Sequence, residues 1–149
     1  NPGSEVLMRF VRRKKAGCRL VLDPGPRLWG KSFADELLRM GTILEMNASE
    51  AKAMTGETEV GAAARRLHAV THQPVIVTLS REGTLCCSEE GEMIVSSAPV
   101  KAIDTIGAGD SHTAGFLSAL SQGKTLRAAC EEANRVAAIV VQHTGCSMG

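Results

Sequence analysis

Pro74 introduces Val75-Ile-Val-Thr-Leu79, a run that is apolar and rich in β-branched residues without polar alternation. A segment of that kind reads as a strand covered on both faces, which requires helices above and below its sheet. The chain supplies them on either side. Ser4 to Lys15 carries Val6, Leu7, Phe10 and Val11 at helical spacing, with Ser4 as N-cap and Gly17 as stop. Strand-like Cys18 to Leu22 follows, then the loop Asp23-Pro-Gly-Pro26, a helix from Phe33 to Met40 capped by Ser32, and a second strand from Thr42 to Met46. Helices are expected over Asn47 to Met54 and Glu59 to Val70. Beyond the Val75 run, turns at Glu82-Gly83 and Glu90-Gly91 separate strands Thr84 to Cys87 and Met93 to Ser96, and helices Ala108 to Leu120 and Thr125 to Gln142 complete the pattern. The alternation implies a three-layer α/β/α domain with a mostly parallel central sheet and an antiparallel hairpin toward one edge.

The chain has 149 residues, 44% of them hydrophobic, which suits one domain with its own core. A formal net charge of +1 gives no electrostatic case for nucleic acid or an anionic membrane. The basic run Arg12-Arg13-Lys14-Lys15 lies at a predicted helix end, where the dipole favours it as a solvated face. Aromatic content is 3%, too little for stacking bases along a groove. Cys18, Cys86, Cys87, Cys130 and Cys146 form an odd set without CxxC or His-rich spacing, so they read as reduced thiols of a cytoplasmic protein. No apolar stretch is long enough for a membrane helix, and the beginning of the chain lacks a signal-peptide pattern.

The chemistry concentrates in Asp104-Thr-Ile-Gly-Ala-Gly-Asp110, which feeds into the helical stretch Ser111 to Leu120. A glycine-rich turn opening a helix brings free N–H groups and the positive dipole end to one point, an anion site. Asp110 stands at that same point. A carboxylate is unfavourable where phosphate binds unless it takes a proton from the group that attacks the phosphorus, so the turn reads as the catalytic centre of a kinase. The alternative is an ordinary helix N-terminus capped by Asp110.

A second phosphate motif competes with the first. Gly25-Pro-Arg-Leu-Trp-Gly30-Lys31-Ser32 satisfies the P-loop pattern GxxxxGK[ST] between a predicted strand and a predicted helix, which would make the chain a P-loop NTPase. Its interior argues against that. Pro26 has no N–H to offer phosphate, Trp29 would crowd the wrap, and no later strand ends in an Asp placed to hold magnesium.

The sequence DTIGAGDSHTAGFLSAL is similar to the signature of the ribokinase family, also called the pfkB carbohydrate kinases. Asn47-Ala-Ser-Glu50 with Thr55-Gly56 resembles the family's NxxE and TG segment, and Val77-Thr-Leu-Ser-Arg-Glu-Gly83 its VTLGxxG strand and turn. The resemblance implies a ribokinase-like fold and an ATP-dependent kinase of a sugar or sugar-like alcohol. Asp110 would be the general base, with Gly107, Ala108 and Gly109 as the anion hole. Asn47 and Glu50 would organise Mg2+ and its waters, the alternative being a capped helix start. Thr78, Ser80 and Gly83 would border adenine and ribose, with Asn134 on the adenine side; Ser80 stands where the family has glycine. Asp104 would hold K+ together with carbonyls near Ile106, Val140 and Gly145, or would simply stabilise the turn. Asp23-Pro-Gly-Pro-Arg27 resembles the DxNxR stretch of relatives acting on fructose or keto-deoxy sugar acids, so Arg27 would reach a phosphate or an acidic substrate. His112 replaces a small or aromatic residue and is expected to be a satisfied structural histidine.

The resemblance spans residues 1–149 but only half of the family's usual length. It implies the C-terminal, nucleotide-binding part of one kinase domain, whose sugar-binding half and lid lie elsewhere, with the full-length protein pairing as a homodimer through that lid. A third reading is a nucleotide-binding fragment without turnover. The identity of the sugar is not encoded in these residues.

Overall fold

The computed structural model describes residues 2–25 and 32–145. Its elements are α1 (Pro2–Arg12), β1 (Leu20–Leu22), α2 (Ser32–Arg39), β2 (Thr42–Asn47), α3 (Ala48–Thr55), α4 (Val60–Thr71), β3 (Val75–Thr78), a 3₁₀ turn (Ser80–Glu82), β4 (Thr84–Ser88), β5 (Gly91–Val95), α5 (Ala108–Ser121) and α6 (Leu126–Val140). One sheet of five strands has the order β1-β2-β3-β4-β5. β1, β2 and β3 pair in parallel, while β4 is antiparallel to both β3 and β5, so it alone runs against the rest.

The period of two along the strands divides the core into layers. Leu44 and Met46 of β2, Val75 and Val77 of β3, and Leu85 and Cys87 of β4 face Ala51, Ala63, Ala64 and Leu67 of α3 and α4. The intervening Ile43, Ile76, Cys86 and Val95 face Phe116, Ala119, Leu120, Ala129, Cys130 and Ala133 of α5 and α6. A smaller cluster of Met8, Val11 and Leu37 joins α1 to α2. The β3 run is therefore covered on both sides, and the three-layer architecture expected from it is present.

Several boundaries differ from the sequence expectation. α1 starts at Pro2, so Ser4 lies inside the helix and not at its cap; proline's fixed φ suits a first helical position. β1 covers only Leu20–Leu22 of the expected Cys18 to Leu22, and α6 ends at Val140 rather than Gln142. The turn read at Glu82-Gly83 is larger, because Ser80–Glu82 forms a 3₁₀ turn closed by Gly83. Gly83 has φ +106°, and a Cβ there would lie 2.1 Å from the Val95 carbonyl oxygen, so the crossing of this turn over the end of β5 admits only glycine.

Candidate active site

The register places one row of residues across the carboxyl end of the sheet. Asn47 pairs with Thr78, Thr78 with Thr84, and Thr84 with Val95. Open α/β sheets bind ligands outside this end of their strands. Three of the expected site segments converge here: Asp23 follows β1, Asn47 ends β2, and Thr78 ends β3.

Gly107 has φ +79°, a left-handed conformation that lets the chain turn sharply into α5 at Ala108. No side chain caps that helix. Ala108 N–H donates to the Thr105 carbonyl at 3.2 Å, while Gly109 and Asp110 occupy the first turn, where amides have no partner within the helix. The cap position is Gly107 and no side-chain cap bond is made there, so the exposed Asp110 is not the helix cap of the alternative reading. Its carboxylate acts on the site at a distance. Burial raises the pKa of Asp23, the Gly25 N–H opposes this, and repulsion from Glu50, Glu45 and Asp110 adds to the rise. Negative potential is thus concentrated at this end of the sheet.

Asp104 joins the turn to the segment after α6. Its Oδ1 accepts the Ile106 N–H at 2.9 Å and its Oδ2 the Gly145 N–H at 2.9 Å. These two donors hold its carboxyl below the ordinary carboxylate range. The N–H groups of Ile103 and Asp104 both donate to the Val141 carbonyl, and His143 N–H to that of Val140. The structure therefore brings together Asp104, Ile106, Val140 and Gly145, with the turn-stabilising role of Asp104 realised.

Asn47 and Glu50 form a capping box on α3: Asn47 Oδ1 accepts the Glu50 N–H at 2.9 Å, and Glu50 Oε2 accepts the Asn47 N–H at 3.0 Å. The capped helix start is thus also realised, and it holds both side chains at the end of β2. Among the described residues, no three His, Cys, Asp or Glu side chains are grouped to hold a metal directly. Ser80 is exposed at φ +55°, the conformation a glycine adopts without strain.

Asn134 is turned inward. Its Oδ1 accepts from Thr84 Oγ1 at 2.7 Å and its Nδ2 donates to the Val95 carbonyl at 2.8 Å, so this side chain, 6% exposed, supports the site from behind instead of presenting an amide to its surface. His112 is buried as expected, but in a partnership no motif indicated, with Glu45 Oε1 at 2.6 Å and Thr84 Oγ1 at 2.8 Å. Glu45 and Thr84 were not singled out by motif. Their signal in the sequence is weak: one charged residue among the apolar positions of the strand Thr42–Asn47, and one histidine in a helix of mostly small residues. Arg27 lies outside the described residues, as does the P-loop-like stretch between Gly25 and Ser32.

A mixed sheet, parallel from β1 to β3 and covered by helices on both faces, thus has a glycine-opened helix with an exposed carboxylate near the carboxyl end of its parallel strands. The model of the pfkB family carbohydrate kinases matches residues 8–149, and the chain belongs to that family. It is 33% identical over 149 residues to the ribokinase of Haemophilus influenzae, covering 97% of this chain and 48% of that one. It is 30% identical to the 2-dehydro-3-deoxygluconokinase of the same organism, covering 88% of this chain and 45% of the relative. Ribokinase of Arabidopsis thaliana, solved with ribose and ATP, superposes with a TM-score of 0.84 at 28% identity over 96% of this chain and 48% of its own. Aminoimidazole riboside kinase of Salmonella enterica, solved with its riboside and an ATP analogue, superposes with a TM-score of 0.83 at 26% identity, covering 98% of this chain and 54% of that one. The fold is ribokinase-like, and the chain spans about half the length of the curated relatives it matches.

Proposed function

We propose that this chain carries the nucleotide-binding and proton-abstracting part of an ATP-dependent kinase acting on a hydroxyl of a sugar or sugar-like substrate. The observation that carries the reading is the left-handed Gly107 opening an uncapped helix whose first turn exposes Asp110 at the carboxyl end of the sheet. Asp110 takes the proton of the attacking hydroxyl. The N–H groups of Gly107, Ala108 and Gly109 meet charge that grows on the transferring phosphoryl oxygens, the kind of preorganised stabilisation that contributes most to such reactions. Thr78, Ser80 and Gly83 border the nucleotide, and Asn134 acts on that wall through Thr84 and Val95.

Mg2+ belongs to the same reading: Asn47 and Glu50, held together at the end of β2 by their capping box, would bind it through water, and it would neutralise phosphate charge. K+ would lie among the carbonyls of Ile106, Val140 and Gly145 beside Asp104, whose carboxylate accepts the Ile106 and Gly145 amides. Arg27 binds a phosphate or acidic group of the substrate. Free Cys86, Cys87 and Cys130 fit the cytoplasm, and a homodimer of the full-length protein belongs to the same reading.

Calorimetric titration with MgATP, followed by transfer assays with K+ and a panel of sugars, tests the proposal. Asp110→Asn is expected to bind MgATP at least as tightly as the parent and to abolish transfer, because it removes a negative charge near the phosphates together with the base. Lys31→Ala is expected to leave nucleotide binding intact. Loss of binding in Lys31→Ala with little effect of Asp110→Asn would instead establish the P-loop, and MgATP binding without transfer to any sugar would establish a non-catalytic nucleotide module.

A further inference from the structure

A buried chain of hydrogen bonds links three strands and two helices directly beneath the candidate turn. Its directions can be assigned from one end to the other. The Val95 carbonyl only accepts, so the group of Asn134 facing it at 2.8 Å is Nδ2, and Oδ1 faces Thr84. Thr84 Oγ1 donates its single proton to that Oδ1 at 2.7 Å, and therefore accepts from His112 Nε2–H at 2.8 Å. One proton then joins His112 Nδ1 to Glu45 Oε1 across 2.6 Å. Glu45 and His112 are each 3% exposed, and Glu45 Oε2 has no partner among the described residues. His112 is thus the partner of Glu45 Oε1, the one carboxyl oxygen of Glu45 that is paired among the described residues.

We propose that Glu45, His112 and Thr84 act as a positioning device that sets the rotation of α5 about its axis, and so aims Asp110 and the turn amides at the carboxyl end of the sheet. His112 lies two residues after Asp110, and at about 100° per residue the two side chains leave the helix on roughly opposite sides. With His112 held inward by β2 and β4, Asp110 is turned outward, as its exposure shows. Phe116, Ala119 and Leu120 anchor the body of α5 in the core, but its first turn is Ala108, Gly109, Asp110 and Ser111 and offers no large side chain to hold the opening of the helix. The hydrogen bonds of His112 supply the direction that packing lacks. The inference rests on the kinase reading only for what the turn binds, and the positions of the amides can be measured without nucleotide.

Three forms of the 149-residue chain, labelled with ¹⁵N, provide the test: the parent, Thr84→Val, which replaces the hydroxyl by a methyl and breaks the chain at both neighbours, and Thr84→Ser, which keeps the hydroxyl. In the parent the His112 ring is expected to show a protonated Nε2; an unprotonated Nε2 would overturn the assignment without any variant. In Thr84→Val the amide resonances of Gly107, Gly109 and Asp110 should shift and exchange faster while those of α3 and α4 stay in place, and MgATP affinity should fall roughly tenfold. Thr84→Ser should restore both. A network that serves folding alone would lower the melting temperature of Thr84→Val and leave the turn resonances unmoved, and that result rejects the proposal. If the turn moves but the parent binds no MgATP, the positioning role stands and the kinase reading fails.

Discussion

Ser80 illustrates how one residue can depart from its family and still reveal what its position requires. At φ +55° it holds a conformation that costs a residue with a Cβ about 1–2 kcal/mol and glycine almost nothing. Ser80→Gly should therefore raise the urea midpoint by an amount equivalent to about 0.5 kcal/mol, the strain relieved less the extra entropy glycine loses on folding. Asp104 makes a prediction in pH. Its folded pKa is depressed by the Ile106 and Gly145 amides, so the stabilisation it contributes is complete above the unfolded value and is lost as pH falls through the folded one. Protection of the Gly145 amide from exchange should accordingly persist through the ordinary carboxylate range and disappear only in stronger acid. In Asp104→Ala it should be absent at neutral pH. The motif identified Asp104 and Ser80 as positions of interest, but which amides the carboxylate receives, and the sign of φ at Ser80, depend on the segment after α6 and on the turn into β4.

At the level of elements, the helix pair α5 and α6 governs how close the turn lies to the sheet. Gly115 faces the backbone of α6, and a Cβ there would stand 3.0 Å from Ala133 Cα and 3.2 Å from the Glu132 carbonyl oxygen. Gly115→Val should cost about 1–3 kcal/mol by overpacking, read as a lower denaturation midpoint. Because α5 also carries Gly107 to Asp110 at its opening, the same variant should broaden the turn resonances. Helices and strands were legible from their periods, since continuous apolar strands and small-residue helices leave few alternatives. Their ends were less so. α1 begins at Pro2 rather than after Ser4, and β1 is shorter than the expected Cys18 to Leu22, because pairing with β2 and not propensity determines where a strand starts.

For the molecule as a whole, two core layers meet at one sheet, and among the described residues Phe116 is the largest fully buried side chain. Phe116→Ala is expected to cost about 3–5 kcal/mol, a large share of the 5–15 kcal/mol typical of an entire domain. A calorimetric scan should show the melting temperature falling sharply, and a variant that melts like the parent would refute the two-layer core. The sequence by itself determined the layered α/β class, the glycine turn that opens α5 and the carboxylate within it, because each is written in local periods and in residues whose backbone freedom or charge acts where they stand. Only the tertiary structure decided that Asn134 faces inward, that the Asn47 and Glu50 side chains cap a helix, and that Glu45, 67 positions before His112, is its partner. Those outcomes depend on strand register and on which helix covers which face, and such distances along the chain leave no pattern in a single sequence.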